Sequence, residues 1–307
     1  MIEDHMDGAI DWMLIVVPGI IWGASFLFIA EGLEAMAPNG VTFTRIAIGF
    51  ASLSLIPAAR RPIARQDWTG CALLGVLWLA FPLSMFPFAE QRVSSALTGM
   101  LNGMTTLFAA AVAGMIARRF PARGIVVGLA VGLGGGVAMA LPGIGAGHES
   151  LTGVLLILAA IVSYGIAINL ARPLQQRNGA LPVMWRALGV ALLLTAPLGV
   201  PALASAHWSV RTGLSMLALG ALGTGLAHVL AATAAGRLGA TRASVITLLM
   251  PVVALVLGVV VRGERVAGLS VAGAAVCLTG AWIIRRAQER AARAPAKLVL
   301  DPIGRSL

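Results

Sequence analysis

Charged residues are scarce in this 307-residue chain, where they make up 11% of the sequence while hydrophobic residues make up 59%. A soluble domain carries about 25% charged residues because its surface faces water. The mean hydropathy is +0.92, and apolar stretches long enough to cross a hydrocarbon core of about 30 Å recur along the whole length. The composition excludes an ordinary soluble domain and predicts a chain whose outer surface faces lipid.

Groups that support catalysis or metal binding are also few. The two cysteines, Cys71 and Cys277, fall inside apolar segments of opposite halves, as buried structural thiols commonly do. The four histidines are scattered without metal-ligand spacing, and neither a GxSxG nor an HExxH motif occurs. We therefore predict no catalytic residues, no metal site and no cofactor, and we do not expect an enzyme.

Apolar windows bounded by charge, glycine and proline predict ten transmembrane helices, and hence an all-α membrane protein. The connections between them are short, which leaves no room for an extramembrane domain. Residues 1–11 are acidic, unlike the basic start of a secretory signal, so we expect an N-terminal tail and not a cleaved leader. The predicted helices lie near residues 12–33, 40–59, 68–88, 94–116, 124–142, 151–171, 181–203, 212–235, 243–261 and 267–284.

The basic residues cluster in alternate connections and in the C-terminal tail. The remaining connections carry only Arg92, Arg211, Arg262 and Arg265. Lysine and arginine accumulate on the cytoplasmic side of membrane proteins, so both termini are predicted to be cytoplasmic in a bacterial inner membrane. This pattern accounts for the net charge of +10 without a nucleic-acid partner.

The two halves of the chain are related by a shift of 145 residues. Residues 126–135 (VVGLAVGLGG) and 271–280 (VAGAAVCLTG) are identical at six of ten positions, and slightly smaller shifts pair Trp22 with Tyr164 and Arg45 with Arg186. An odd number of helices per repeat makes the second repeat enter the membrane from the opposite side. We predict an inverted five-helix repeat over residues 12–142 and 151–285, with tails at 1–11 and 286–307.

Ten helices in a 5+5 arrangement, the opening IWGASF at residues 21–26, Arg45 in the second helix and the segment GERVAGLSVAGAAVCLTG at 263–280 resemble the EamA-type members of the drug/metabolite transporter superfamily. Within it the chain is most similar to bacterial amino-acid exporters of the YddG type. The resemblance implies alternating-access export of amino acids or related small amphipathic metabolites through a central cavity. It implies small molecules and the lipid bilayer as partners, with no protein partner. The chain departs from the pattern where Arg118-Arg119 stands opposite Gly263-Glu264.

Polar and aromatic residues at mid-depth of the predicted helices are the candidates for lining this cavity, because buried polar groups in a bilayer are costly. Each has an ordinary alternative, which is interhelical hydrogen bonding for the polar residues and packing for the aromatic ones. The candidates are Trp22, Ser25, Trp78, Phe81, Phe86, Thr98, Asn102, Tyr164, Thr224, His228, Ser244 and Thr247. Pro82, Pro251, Gly135 and Gly280 are candidate hinges, with the simple frequency of Gly and Pro in membrane helices as the alternative.

Acidic residues fall in tails, connections or helix ends, so we expect a largely uncharged cavity and uncoupled transport or exchange. Arg45 is expected beside Glu31 and Glu34 near a helix end, as an ion pair or a gating contact. His228 is the one mid-membrane group that could carry a proton, which leaves a proton-coupled drug/metabolite efflux pump as the alternative. A channel, a receptor and an intramembrane enzyme are the classes that fit less well.

Overall fold

The computed structural model describes residues 2–116, 118, 122–238 and 245–293. These residues form helices and connecting turns, arranged as ten helical spans. We number the helices α1 to α13 because three of the spans are divided into shorter helices. Spans 1 and 2 are α1 (Ile2–Leu33) and α2 (Pro38–Ser54).

Span 3 consists of α3 (Trp68–Leu74), a π-helical segment Gly75–Ala80 and α4 (Phe81–Glu90). Span 4 consists of α5 (Ser95–Asn102) and α6 (Thr105–Ile116), and span 5 is α7 (Arg123–Gly145).

The second half repeats this order. Spans 6 and 7 are α8 (Leu151–Asn178) and α9 (Ala180–Leu203). Span 8 consists of α10 (Val210–Leu217), a π-helical segment Ala218–Leu226 and α11 (Ala227–Leu238). Spans 9 and 10 are α12 (Val245–Arg262) and α13 (Gly268–Arg293).

Within the described ranges, eight helical spans are long and apolar enough to cross a membrane, and Ile246–Arg262 is a shorter apolar helix. The remaining span, α2, has 17 residues and carries a buried arginine. Helices that cross a membrane form their backbone hydrogen bonds internally, because lipid offers no partners for the backbone N–H and C=O groups. The chain is therefore an all-α, multi-pass membrane protein, as its sequence predicts.

The packing of the spans follows a two-fold relation between the halves. Span 1 packs against spans 8 and 9, and span 6 packs in the same way against spans 3 and 4. Span 2 packs against its counterpart span 7, and span 5 against its counterpart span 10. Because each half holds five spans, the two halves cross the membrane in opposite directions, which is the inverted-repeat arrangement.

Glycines allow spans 5 and 10 to approach backbone to backbone. A Cβ at Gly135 would lie 2.6 Å from the carbonyl oxygen of Gly273, and one at Gly280 would lie 2.6 Å from that of Gly128. Such spacing leaves no room for a side chain, so only glycine fits. Gly128 and Gly135 precede Gly273 and Gly280 by 145 residues, so the contact in one half is the repeat equivalent of the contact in the other.

Candidate functional site

A central cavity of about 130 Å³ lies among spans 1, 2, 3, 4, 6, 8 and 9. Its wall combines aromatic rings with a small set of polar side chains, which is the usual make-up of a small-molecule site. The aromatic residues on the wall are Trp22, Phe26, Trp78, Phe86 and Tyr164. The polar residues are Ser25, Arg45, Asn102, Thr105, His228 and Thr247.

The aromatic residues form two groups of contacting rings. The ring of His228 meets Trp22 edge-on at 5.2 Å between ring centroids, and it meets Trp78 at 6.0 Å. Phe86 lies between Phe26, at 5.6 Å, and Tyr164, at 5.9 Å. The indole of Trp22 donates a hydrogen bond of 2.9 Å to the carbonyl of Gly223, which fixes its orientation. The wall therefore presents aromatic rings that contact one another and, at Trp22, are oriented by a hydrogen bond.

Two π-helical segments border the cavity at equivalent places in the repeat. Gly75–Ala80 supplies Trp78 and Leu79, and Ala218–Leu226 supplies Gly223. Trp78 and Gly223 are 145 residues apart, so they correspond under the repeat. π-helical turns are often found at functional sites because they turn side chains away from the regular helical stripe.

Span 4 is interrupted beside the cavity. The α-helix ends at Asn102 and resumes at Thr105, and the Thr105 hydroxyl donates a 2.7 Å hydrogen bond to the freed carbonyl of Asn102. A Cβ at Gly103 would lie 2.6 Å from Cγ of Pro251, so span 9 packs tightly against the interruption. Broken helices of this kind present backbone polar groups to transport sites.

A larger cavity of about 920 Å³ adjoins the first one, and Trp78, Thr105, Ile168 and Thr247 line both. It lies between spans 4, 6, 9 and 10 and reaches exposed residues at one end of the bundle. We call that end the open end and define it by Arg172, Gln176 and Gln288 on the cavity rim.

The opposite end, which we call the closed end, is joined by ion pairs. Glu31 of span 1 is 4% exposed and accepts from Arg211 of span 8 at 2.6 Å and from Arg262 of span 9 at 2.9 Å. Arg262 also donates to Glu34 at 3.0 Å. One buried carboxylate thus connects three spans.

Two further carboxylates at the closed end cap the start of α5. Glu264 accepts from the Ser95 amide at 3.0 Å, the Ser95 hydroxyl at 2.7 Å and the Ala96 amide at 2.8 Å. Glu149 accepts from the Ser94 amide at 2.9 Å and the Ser94 hydroxyl at 2.8 Å. Burial raises the pKa of the Glu149 carboxyl, although its hydrogen bonds to Ser94 oppose this.

The structure brings most of the sequence-predicted site residues together. Thr98 and Thr224 are fully buried behind the wall, where Thr98 donates to the Ser94 carbonyl. Phe81 is 39% exposed and faces away from the cavity, because it begins α4 directly after the π-helical segment. Ser244 lies outside the described residues. The predicted residues found on the wall are Trp22, Ser25, Trp78, Phe86, Asn102, Tyr164, His228 and Thr247.

The candidate hinges occupy packing positions. Pro82 is buried at the start of α4, and Pro251 lies inside α12 against Gly103. Gly135 and Gly280 lie in the tight contact between spans 5 and 10. Close packing explains the two glycines, and hinge motion at these four residues stays a prediction.

Sequence reasoning misplaced Arg45 and therefore missed a charge on the cavity wall. Glu31 pairs with Arg211 and Arg262, whereas Arg45 is 5% exposed and lines the cavity. The reason is depth. Span 2 begins at Pro38, so Arg45 lies two helical turns, or about 10 Å, below the level of the ion pairs. The expectation of an uncharged cavity is corrected accordingly.

Comparison with known proteins agrees with this architecture. The profile of the EamA-like transporter family matches residues 11–141 and again residues 151–286. The chain belongs to the EamA-like transporter family. Its two matches correspond to the two five-span halves of the bundle.

Curated relatives match over nearly their whole length. A "probable terminal-alkyne amino-acid exporter" of Streptantibioticus cattleyicolor is 26% identical over 90% of this chain and 93% of that protein. A "probable amino-acid metabolite efflux pump" of Salmonella typhimurium is 24% identical over 89% of this chain and 94% of that protein. A solved crystal structure superposes with a TM-score of 0.59 at 19% identity, covering 88% of this chain and 98% of the other, which shows the shared fold. The family and these relatives are transporters and not enzymes.

Proposed function

We propose that this EamA-family transporter exports amino acids or closely related amphipathic metabolites through its central cavity. The observation that carries the proposal is the wall itself, where Trp22, Trp78 and Phe86 face the same space as Asn102 and Arg45. Such a wall suits a solute with an apolar part and a polar end. The names of the two relatives quoted above point to the same class of solute.

The open end faces the cytoplasm in this proposal, and the protein lies in the bacterial inner membrane with both termini inside. Support comes from the distribution of basic residues, since Arg60, Arg61, Arg172 and Arg285 lie toward the open end. The closed end carries basic residues that are used in ion pairs, such as Arg211 and Arg262. The structure then corresponds to an inward-facing state.

The two-fold relation between the halves supports alternating access. Spans 4 and 9 touch at the closed end, where Ala96 lies against Gly258, and they are separated by the larger cavity at the open end. Exchanging the roles of the two halves would close the open end and open the closed one around the same central site. The ion pairs of Glu31 and the capping contacts of Glu264 would then be the external gate.

Transport is uncoupled in this proposal, and the solute moves down its own gradient. Two buried groups keep proton coupling as a second candidate. The Nδ1 atom of His228 and both carboxylate oxygens of Glu90 have no hydrogen-bond partner among the described residues. A protonatable group without a partner is a common element of proton-coupled transporters.

Flux into liposomes tests the proposed function. Purified protein would be reconstituted and offered labelled amino acids, nucleosides, cationic drugs, inorganic phosphate and nucleotide sugars, with protein-free liposomes as the control. We expect saturable uptake that is fastest for amino acids, whereas nonsaturating flux would indicate a channel. Best transport of inorganic phosphate or nucleotide sugars would contradict the proposal.

Imposed gradients separate the two coupling candidates. Uncoupled transport brings the solute to equal concentration on both sides whether or not a pH or sodium gradient is present. Uphill accumulation driven by a proton gradient, and lost in His228→Ala or Glu90→Gln, would establish the second candidate.

A further inference from the structure

Arg45 carries a buried positive charge whose hydrogen-bonding capacity is mostly unused. Its Nε donates to the hydroxyl of Thr224 at 3.3 Å, and Thr224 in turn donates to the carbonyl of Leu219 at 3.1 Å. Among the described residues the two terminal nitrogens of Arg45 have no hydrogen-bond partner, and they belong to a side chain on the cavity wall. Thr224 therefore orients the guanidinium of Arg45, and the two terminal nitrogens of that guanidinium stay free to donate.

A charge in this position calls for an anion, because burying an unpaired ion in a membrane protein is costly. The acidic residues nearby do not supply it. Glu31 is held by Arg211 and Arg262. The charge of Glu90 is close enough to act on Arg45, but the two side chains form no ion pair, which would need a nitrogen–oxygen distance of 4.0 Å or less. The cavity itself is the remaining place for the counter-ion.

The repeat provides an internal comparison for this interpretation. Arg186 is the counterpart of Arg45 and is also buried, at 8% exposed. Its terminal nitrogens donate to the carbonyls of Pro182 and Arg61 at 3.0 and 2.9 Å, and it lies over the rings of Trp68 and Trp185. The terminal nitrogens of Arg186 are thus occupied by protein carbonyls, although its buried Nε has no partner among the described residues, whereas the terminal nitrogens of Arg45 are free.

We propose that Arg45 is the carboxylate-binding group of the transport site. Its planar guanidinium binds the carboxylate of the solute through its two free nitrogens, the geometry that arginine and carboxylate groups share. The apolar part of the solute lies against Trp22, Trp78 and Phe86. The inference rests on the proposed function and makes it narrower, because it selects free carboxylic acids over amides and amines of the same shape.

The test compares each acid with its own carboxamide. The probes are labelled L-phenylalanine and L-leucine and the corresponding amino-acid amides, measured by uptake into liposomes. For the wild-type protein we expect the acid to be transported at least about 10-fold faster than the amide, because the amide leaves the buried charge unpaired. For Arg45→Gln we expect the acid-to-amide ratio to fall to about 1, because the charge that favours the acid over the amide is gone.

Control variants keep the test decisive. Arg186→Gln removes an equally buried arginine away from the cavity, so it should leave the acid-to-amide ratio as it is. If Arg45→Gln does not yield folded protein by size-exclusion chromatography, Arg45→Lys and the isosteric Thr224→Val take its place, and both should lower the ratio.

Three results would overturn the inference, and they are distinguishable. Equal wild-type uptake of acid and amide would reject the carboxylate site and leave amino-acid transport standing. An equal loss of acid and amide uptake in Arg45→Gln would make Arg45 a structural residue. No wild-type uptake of any probe would reject the proposed function together with this inference.

Discussion

Spans 4 and 9 meet at the closed end of the bundle and part at the open end. At the closed end Glu264, which follows span 9, accepts three hydrogen bonds from Ser95 and Ala96 at the start of span 4. At the open end a cavity of about 920 Å³ lies between Thr106 on span 4 and Thr247 on span 9. The same two spans are therefore joined by specific polar contacts at one end only.

In the proposed mechanism, this difference places the barrier to transport at the closed end. Small residues bring the spans together over the closed half, where Gly99 lies against Ala254 and Gly103 against Pro251. Charged groups then join them to span 1 through Glu31 and Arg262. Ion pairs with an exposed partner such as Arg211 are weak, so a contact of this kind can break in water and form again.

Cysteine labelling compares water access at the two ends directly, and the difference in labelling rate should be the largest of the predicted effects. Ala113→Cys places a thiol on the wall of the larger cavity, and Ala96→Cys places one at the fully buried start of α5. If the opposite state is a minor one populated at 0.1–10%, a water-soluble maleimide should label Ala113→Cys about 10- to 1,000-fold faster.

The parent chain is the control for labelling, because its cysteines, Cys71 and Cys277, are buried and should not react. Equal labelling rates at the two positions would show that the closed end is not a barrier in the membrane.

Removing the carboxylate of Glu31, which Arg211 and Arg262 share, should have the second largest effect on the closed end. Glu31→Gln leaves Arg211 and Arg262 without the charge that both contact, and we expect a loss of about 1–3 kcal/mol in unfolding free energy. The loss is moderate because the Arg211 side chain is 64% exposed. Thermal unfolding in detergent would measure it, and faster labelling of Ala96→Cys would show that the end has opened.

Glu34→Gln is the matched control. Glu34 belongs to the same cluster but is 55% exposed, and within the described ranges its carboxylate pairs with Arg262 alone. Its loss should cost less than about 0.5 kcal/mol. Equal effects of the two variants would mean that burial of Glu31 does not matter to the closed end.

Sequence patterns predicted the helical spans, the relation between the two halves and eight of the residues that line the cavity. Apolar length gives the spans, and the 145-residue shift aligns Trp78 with Gly223 as well as Gly135 with Gly280. Polar and aromatic residues at mid-depth, such as Asn102 and Tyr164, then fall on the wall once the spans are assembled.

The sequence did not predict the depth of each residue along its span or the face of the helix on which it lies. Arg45 was expected beside Glu31 because a helix start uncertain by a few residues shifts depth by several ångströms. The π-helical segment Gly75–Ala80 alters which residues of span 3 face inward, so Phe81 points outward instead of lining the cavity. The apolar run Gly75–Ala80 reads as ordinary helix in the sequence, and Thr105 was missed because the break after Asn102 is a tertiary feature.

Glu264→Gln tests the joint between spans 4 and 9 by itself. Glutamine keeps one acceptor oxygen, so it can hold either the Ser95 or the Ala96 amide but lacks the charge that favours a helix start. We expect a loss of about 1 kcal/mol in thermal unfolding, less than for Glu31→Gln. Glu264→Ala removes both acceptors and should cost more, and a larger loss in the glutamine variant would contradict the capping role.

The smallest effect should come from Glu149, the second carboxylate at the start of α5, and it should depend on pH. Burial raises the pKa of the Glu149 carboxyl above its usual value of 4.5, so the folded protein binds the proton more tightly than the unfolded chain does. Stability contributed by this group is therefore greatest below pH 4.5 and falls as the pH rises through the raised pKa.

Glu149→Gln does not titrate at this position, and subtracting its unfolding curve from that of the wild type cancels the other groups. The wild type should lose stability relative to Glu149→Gln as the pH increases from about 4 to 7. A difference that grows in favour of the wild type over that interval would show that the hydrogen bonds to Ser94 outweigh burial, and that both carboxylates hold the closed end in the same way.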